Sequence, residues 1–357
     1  MKRTRRSGMQ LFYLDKLPGQ NSMLIFHALA RMGVESLVIV SPQDPLVSIG
    51  YFQDAKQEID LEYLEKVKIP AMRREVGGGT TYLDGNQIFY QLIWRRSNPH
   101  FPKKISEIYE WFSQAPVETY REFGIKARFR PVNDIVTGEG RKIAGEGGAN
   151  IGDCMVFVGG ILLDFDYETM VRVLKVPEEK FRDKIFKSME ENLTTMKREL
   201  GALPPREEIK RALVRHFTRL VGPLEPAEMT SELWATMARL EQEFNSPEFL
   251  FKKTPRVATG VKIREGVEIS FGIHKAPGGL IRTVQEVERE RIKDLGISGD
   301  FTFYPKEELA GLENSLKGIK RQPEDIVQRV GEFCDEHEVE TPGVTAEDFS
   351  MAIMNAR

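Results

Sequence analysis

Apolar and polar positions over the first 255 or so residues switch repeatedly between helical and extended periods. Residues 21–33 carry Leu24, Ala28 and Ala30 on an apolar stretch that stops at Gly33, which predicts a helix ended by a glycine. Residues 36–40 and 47–53 read as short strands, and 87–94 as a longer one rich in branched and aromatic side chains. Residues 105–123 are helical with a break expected near Pro116, and 129–136 are strand-like. Two apolar runs, 154–158 and 161–165, flank Gly159-Gly160, a pair expected to turn a hairpin. Helical pattern then extends over 177–244, interrupted near Pro204-Pro205 and between Pro223 and Pro226.

The pattern changes near Pro255. Val267, Ile269, Phe271 and Ile273 alternate with period two, as a half-buried strand does, and residues 298–303 suggest another strand. Two amphipathic helices close the chain, one with Ile326, Val330, Phe333 and Cys334 on a face, the other with Phe349 and Ile353. We therefore expect two domains, 1–255 and a smaller α+β domain at 256–357, with no tandem repeat or low-complexity segment.

Length agrees with that division, because 357 residues are long for one domain. A chain with 41% apolar and 29% charged residues is an ordinary globular protein. Its formal net charge of −3 gives no strong overall attraction to nucleic acid or to an anionic membrane. The basic start, Lys2-Arg3-Thr4-Arg5-Arg6, reads as a solvated terminus, since no apolar stretch follows that could act as the core of a signal peptide. The longest apolar run, 155–163, is too short to cross a bilayer. Cys154 and Cys334 are the only cysteines, which argues against a disulfide framework and for a reducing cytosol. Five scattered histidines match no zinc-ligand spacing.

Two segments carry candidate chemistry. In Arg73-Arg74-Glu75-Val76-Gly77-Gly78-Gly79, a basic pair feeds three glycines, whose backbone can bring amide N–H groups close to an anion without a Cβ in the way. About sixty residues later, Gly140-Arg141-Lys142-Ile143-Ala144-Gly145 holds one lysine between glycines, a mobile cation for the same anion. Together they describe a site that makes and holds an acyl phosphate.

This ordered pair closely resembles the lipoate–protein ligase family. Residues 73–86 match the family's arginine–glycine loop, and Asn133-Asp134-Ile135 followed by residues 140–145 match its second motif. The resemblance extends over nearly the whole chain. Ser48-Ile49-Gly50-Tyr51-Phe52-Gln53 resembles a strand that lines the acyl tunnel, and residues 159–164, 246–249, 299–301 and 312–318 resemble later family segments. It implies an α+β fold: a mixed-sheet biotin/lipoate ligase-like catalytic domain with a smaller accessory domain. It also implies that Lys142 is catalytic and that Arg73, Arg74, Gly77, Gly78, Gly79, Thr80, Asp84, Asn133, Asp134 and Gly145 bind substrate or adenylate. Asp134 is a candidate Mg²⁺ ligand, an oxygen donor suiting that hard cation, or Asn133 and Asp134 cap a turn. Two departures stand out. The histidine common after the glycine loop is absent at Leu83-Asp84-Gly85-Asn86, and Glu146 introduces an anion beside the expected adenylate.

The activity implied is ATP- and Mg²⁺-dependent: lipoate or octanoate becomes acyl-AMP and passes to a lysine of a carrier, such as a glycine cleavage H protein or a 2-oxoacid dehydrogenase E2-type domain, in the cytoplasm. Neither a nucleic acid nor a membrane partner is expected. An acyl-carrier-dependent octanoyl or lipoyl transferase is the alternative. It would need a cysteine nucleophile, and Cys154 reads as a buried core thiol instead. A biotin ligase fits the arginine–glycine loop less well, and a catalytically dead acyl-binding protein fits poorly with the retained Lys142.

Overall fold

The computed structural model describes residues 8–176, 181–255 and 267–357. The basic start at Lys2–Arg6, the expected helix start at Pro177 and the expected domain junction just after residue 255 lie outside those residues.

A six-stranded mixed sheet organises the larger part. Its strands run in the order Gly147–Ile151, Cys154–Leu162, Gln87–Arg95, Ser36–Pro42, Met9–Leu17 and Leu224–Pro226. Met9–Leu17 pairs in parallel with both its neighbours, and the remaining pairs are antiparallel. Both faces of the sheet are covered. Val38, Val40, Phe89 and Ile93 pack on one side with helices Gly19–Arg31 and Ser231–Phe244. Leu37, Ile39, Ile88, Tyr90, Leu92 and Trp94 pack on the other with Ile105–Phe112, Gln114–Glu122 and Arg206–Val221. Double coverage explains why residues 87–94 of that strand are an unbroken run of apolar and amide residues rather than an alternation.

Several local expectations are corrected. The helical stretch at 105–123 breaks at Ser113, not Pro116. Pro116 falls in the first turn of the second helix, where no intrahelical N–H bond is required of it. The strand-like 129–136 segment is two strands, Arg128–Arg130 and Asp134–Val136, folded into a hairpin to which Lys142–Gly145 adds a third strand. Gly159-Gly160 do not turn a hairpin. They lie inside one continuous strand, Cys154–Leu162, opposite Tyr90 and Phe89. The missing side chain at Gly159 makes room for a ring, since a Cβ there would lie 2.4 Å from the Tyr90 hydroxyl. Similarly, residues 47–53 form a strand only over Leu46–Ile49.

The C-terminal part is an antiparallel three-stranded meander, Val267–Ala276, Gly279–Glu288 and Arg291–Gly299. Helices Glu308–Ser315, Pro323–Glu336 and Ala346–Met354 supply its core. The strand expected at 298–303 thus ends at Gly299, with residues 300–303 crossing towards the larger sheet. That core also takes in Tyr51 and Phe52 from the N-terminal part. Phe52 stacks on Phe301 with ring centroids 5.3 Å apart, and its carbonyl accepts the Gly299 N–H. Among the described residues, no helix is long and apolar enough to cross a membrane.

Steric confinement of Gly159 gives a measurable consequence. Gly159→Ala should lower the unfolding free energy by about 1–3 kcal/mol in urea titration, as overpacking of a filled core does. Gly160→Ala, whose Cβ would meet Phe89 at 3.3 Å, should cost less. Equal losses at the two positions would contradict the continuous-strand arrangement.

Candidate active site

The arginine–glycine segment leaves strand Ala71–Arg73 beside Leu46–Ile49. Its two arginines do different work. Arg73 is fully buried and donates to the backbone carbonyls of Gly50, Tyr51, Gln53, Phe249 and Leu250. It therefore pins two chain segments together and does not face the cavity, contrary to its expected role in adenylate binding. Arg74 donates through one nitrogen to the Ser48 carbonyl and through the other to the carbonyls of Gly77 (2.8 Å) and Gly79 (2.7 Å). Burial pulls both guanidiniums down to about 10, so both stay charged at neutral pH.

Arg74 gives the loop its chemistry. With the Gly77 and Gly79 carbonyls turned towards the guanidinium, the amides of Gly78 and Thr80 project to the opposite side of each planar peptide. Gly78 has φ +87°, and its carbonyl lies so close to Gly50 that a Cβ on Gly50 would sit 1.8 Å away. Among the described residues, the N–H groups of Gly77, Gly78 and Gly79 donate to no protein acceptor. All three glycines and Thr80 line a cavity of about 780 Å³. Unpaired amides in a concave wall form an anion site.

Across the cavity, the hairpin register sets Asp134 opposite Gly145, with Lys142 entering next to a bulge. The Lys142 ammonium bridges to Asp134 at 2.6 Å and passes over Gly145, where a Cβ would meet Nζ at 2.9 Å. Gly145 thus clears a path for the lysine. Arg130 takes the second Asp134 oxygen at 2.7 Å. Burial alone would raise the Asp134 carboxyl, but Lys142 and Arg130 outweigh it and hold the group below its ordinary value. Asn133 lines the cavity and donates to the Glu146 carbonyl at 2.5 Å, fixing the strand that follows Gly145.

Asp134 meets Lys142 with one oxygen and Arg130 with the other, so in this structure it anchors the two cations. No group of three or more His, Cys, Asp or Glu among the described residues could hold a metal. One expectation changes here. Asp84 lies outside the cavity lining, and its carboxylate accepts from the Asn86 backbone and side-chain amides, which caps the turn into the 87–95 strand.

Glu146 is not the anion it looked like. It is buried, and its carboxyl meets the Tyr90 hydroxyl at 2.9 Å and the Ser113 hydroxyl. Burial pushes its pKa up to about 8, against the pull of Ser113 and Tyr90; Asp134 adds to the rise and Lys142 opposes it. The hydrogen-bond count agrees. Ser113 carries one hydrogen yet touches both the Tyr109 carbonyl (2.5 Å) and Glu146, so both contacts are hydrogen bonds only when Glu146 is protonated.

Other walls escaped the sequence reading. Gln87, Phe89 and Gln91 share one face of their strand, and Ile185, Ser188, Met189 and Asn192 line the cavity from helix Arg182–Asn192. The i, i+3, i+4 spacing of these helix residues was the available signal. Cys154 is absent from the lining: it is fully buried, and burial pushes its thiol up to about 11. Cys334 is on helix Pro323–Glu336, also outside the lining.

Comparison with known proteins identifies the family. The lipoyl protein ligase A/B catalytic domain matches residues 23–218, more than half of the chain, and the bacterial lipoate protein ligase C-terminus matches residues 272–353. The chain belongs to the lipoyl protein ligase A/B family. Octanoyltransferase LipM of Kyrpidia tusciae is 29% identical over 231 residues, covering 58% of this chain and 84% of its own length. Lipoate-protein ligase LplJ of Bacillus subtilis is 25% identical over 277 residues, covering 77% of this chain and 78% of its own length. A structure of the bi-partite lipoate protein ligase and its E2 lipoyl domain from Thermoplasma acidophilum includes a chain that aligns with a TM-score of 0.61 at 27% identity, covering 70% of this chain and 99% of that one. The relatives thus establish an enzyme of the lipoate ligase/octanoyltransferase class.

The two basic residues should separate cleanly in experiment. Arg73→Met should lower the unfolding free energy by about 3 kcal/mol or more, because it strands buried carbonyls. Lys142→Met, whose side chain is 40% exposed, should change stability by less than about 1 kcal/mol. Similar losses for both would contradict the division between structural and cavity arginine and lysine.

Glu146 should also leave a pH signature. Its folded pKa is raised, so the folded state holds a proton that the unfolded chain releases between pH about 4.5 and about 8. The stability of the neutral form is fully present below pH 4.5 and is lost as pH rises through 8, by up to about 1.4 kcal/mol per pH unit. Glu146→Gln should remove that slope and leave the wild type relatively weaker above pH 8. Parallel stability curves for the two proteins from pH 4 to 9 would refute the protonated acid.

Proposed function

We propose that this enzyme is an ATP-dependent ligase. It activates lipoate or octanoate as acyl-AMP and transfers the acyl group to a lysine of a small carrier domain. The observation that carries this reading is the facing of unpaired glycine-loop amides and the Lys142 ammonium across one cavity that contains no cysteine. Such a wall suits a phosphoryl group, whereas a thioester route would need a thiol that neither Cys154 nor Cys334 supplies. The C-terminal part, proposed as the accessory domain from about residue 256, further supports the ligase over a transferase. LplJ aligns over 77% of the chain, LipM over 58%.

In the first step, a carboxylate oxygen attacks the α-phosphorus of ATP while the bond to pyrophosphate breaks. Charge grows on the phosphoryl oxygens as this happens. Lys142 and the amides of Gly78 and Thr80 are fixed donors aimed at that charge, which stabilises the transition state more than the ground state. Asp134 and Arg130 hold the lysine in place before the nucleotide arrives. Mg²⁺ would enter with ATP as part of the substrate and offset charge on the leaving pyrophosphate. In the second step the carrier's lysine amine attacks the acyl carbon, AMP leaves with the bonding pair, and the amine loses a proton. The neutral Glu146 keeps a second negative charge away from the phosphate. A lipoyl domain is the carrier class we assign, by analogy with the E2 lipoyl domain of the Thermoplasma system. The two free thiols suit a reducing compartment such as the cytoplasm.

Purified protein given ATP, Mg²⁺ and free lipoate or octanoate should release pyrophosphate and form acyl-AMP, and chelation of Mg²⁺ should stop both. Lys142→Ala should lower kcat/KM by about 10²–10³-fold, the usual effect of losing one such contact. Acyl transfer from an acyl carrier protein without nucleotide, abolished by Cys154→Ala, would replace the ligase with a transferase.

A further inference from the structure

We propose that Lys306 is a positioning residue for the glycine loop, through which the C-terminal part sets the shape of the phosphate site; its kinetic test rests on the ligase reading above. Lys306 belongs to the segment that crosses from the small sheet towards the larger one. Only 7% exposed, it donates to the Asn150 carbonyl and faces Glu307 at 2.9 Å and Glu75 at 3.9 Å. A buried ammonium is costly unless charges and acceptors meet it, and removing it would leave the carboxylates it meets uncompensated. Specific placement of Glu75 gives it a purpose.

Glu75 is the hub of a small network beneath the loop. Its carboxylate receives Arg31 from helix Gly19–Arg31 at 2.7 Å, and its backbone N–H donates to His27 Nε2 at 3.1 Å. His27 Nδ1 is 2.8 Å from the Met23 carbonyl, which fixes the neutral tautomer, and burial lowers its pKa to about 4. At neutral pH, therefore, two cations hold Glu75: Arg31 from its own half and Lys306 from the C-terminal half. Glu75 adjoins Arg74, which turns the Gly77 and Gly79 carbonyls, and it is two residues from Gly77. The same crossing segment presses on Gly77 itself, where a Cβ would lie 2.8 Å from the Phe301 carbonyl. One stretch of the C-terminal half thus fixes the loop by charge at Glu75 and by contact at Gly77.

The test compares Lys306→Met, Glu75→Gln and the double variant with the full-length wild type, using pyrophosphate release from lipoate with ATP. Loosened loop amides bind phosphate less well, so each single variant should raise KM for ATP by about tenfold or more. The KM for lipoate and kcat should move far less. The double variant should be no worse than the poorer single one, because both changes remove the same link. Hydrogen exchange should quicken at the Tyr51, Arg74 and Glu75 amides, each bonded in the intact protein. A fall in kcat with unchanged KM for ATP, or KM effects that multiply in the double variant, would overturn the proposal. Should Lys306→Met not fold, Glu75→Gln carries the same expectations and the same refutations. If the wild type releases no pyrophosphate, the ligase reading fails. The exchange comparison then decides on Lys306 by itself, unchanged rates refuting it.

Discussion

The Arg74 guanidinium, buried and bonded to two glycine carbonyls, is the contact on which the cavity depends. A glycine-rich loop left alone would present carbonyls and amides in all directions. By drawing the carbonyls of Gly77 and Gly79 inward, Arg74 leaves amide hydrogens without protein partners on the other side. An ordinary fold would satisfy those donors. Leaving them open costs stability, and the enclosing structure offsets that cost through Arg73, whose bonds to five carbonyls lock the neighbouring segments. Adjacent arginines in one motif thus divide into a structural clamp and a loop former.

Charge in the cavity is arranged to meet an anion without scattering the cations. Arg74, Arg130 and Lys142 all contribute to its wall. Lys142 is held by Asp134, and Asp134 is shared with Arg130, so the ammonium is oriented but not buried. A second ionised carboxylate a residue past Gly145 would weaken this field. Burial outweighs the pull of the Tyr90 and Ser113 hydroxyls and keeps Glu146 neutral instead, so the chain can carry a glutamate there without weakening the field. The same logic applies to Asp84, whose charge is spent on a turn outside the cavity.

The two halves of the chain are not independent bodies joined by a tether. Tyr51 and Phe52 belong to the C-terminal core, and Gly77 is packed against the carbonyl of Phe301. The glycine that a sequence reader assigns to phosphate binding is therefore also required by an interface. Gly78 owes its identity to a positive φ, Gly77 to a neighbour 224 positions along the chain, and Gly79 to neither, its Cβ space being ordinary contact distance.

What the sequence determined by itself was local and chemical. The glycine loop, the Lys142 turn and the alternating or helical apolar patterns each reside in a few consecutive residues, and short-range physics leaves its mark there. The helix before Gly33, the 87–95 strand and the paired glycine motifs were legible for that reason, and so was the family. Tertiary structure decided which of those residues face the cavity. Arg73 and Arg74 are indistinguishable in composition and adjacent in order, but only the packing of residues 50–53 and 249–250 turns one inward. Gly159-Gly160 carry the signature of a turn, and only the Tyr90 ring across the sheet makes them strand. Glu146 reads as an anion until elements remote in sequence bury it beside Tyr90 and Ser113. Such outcomes depend on desolvation and on contacts between distant segments, which no window of consecutive residues contains.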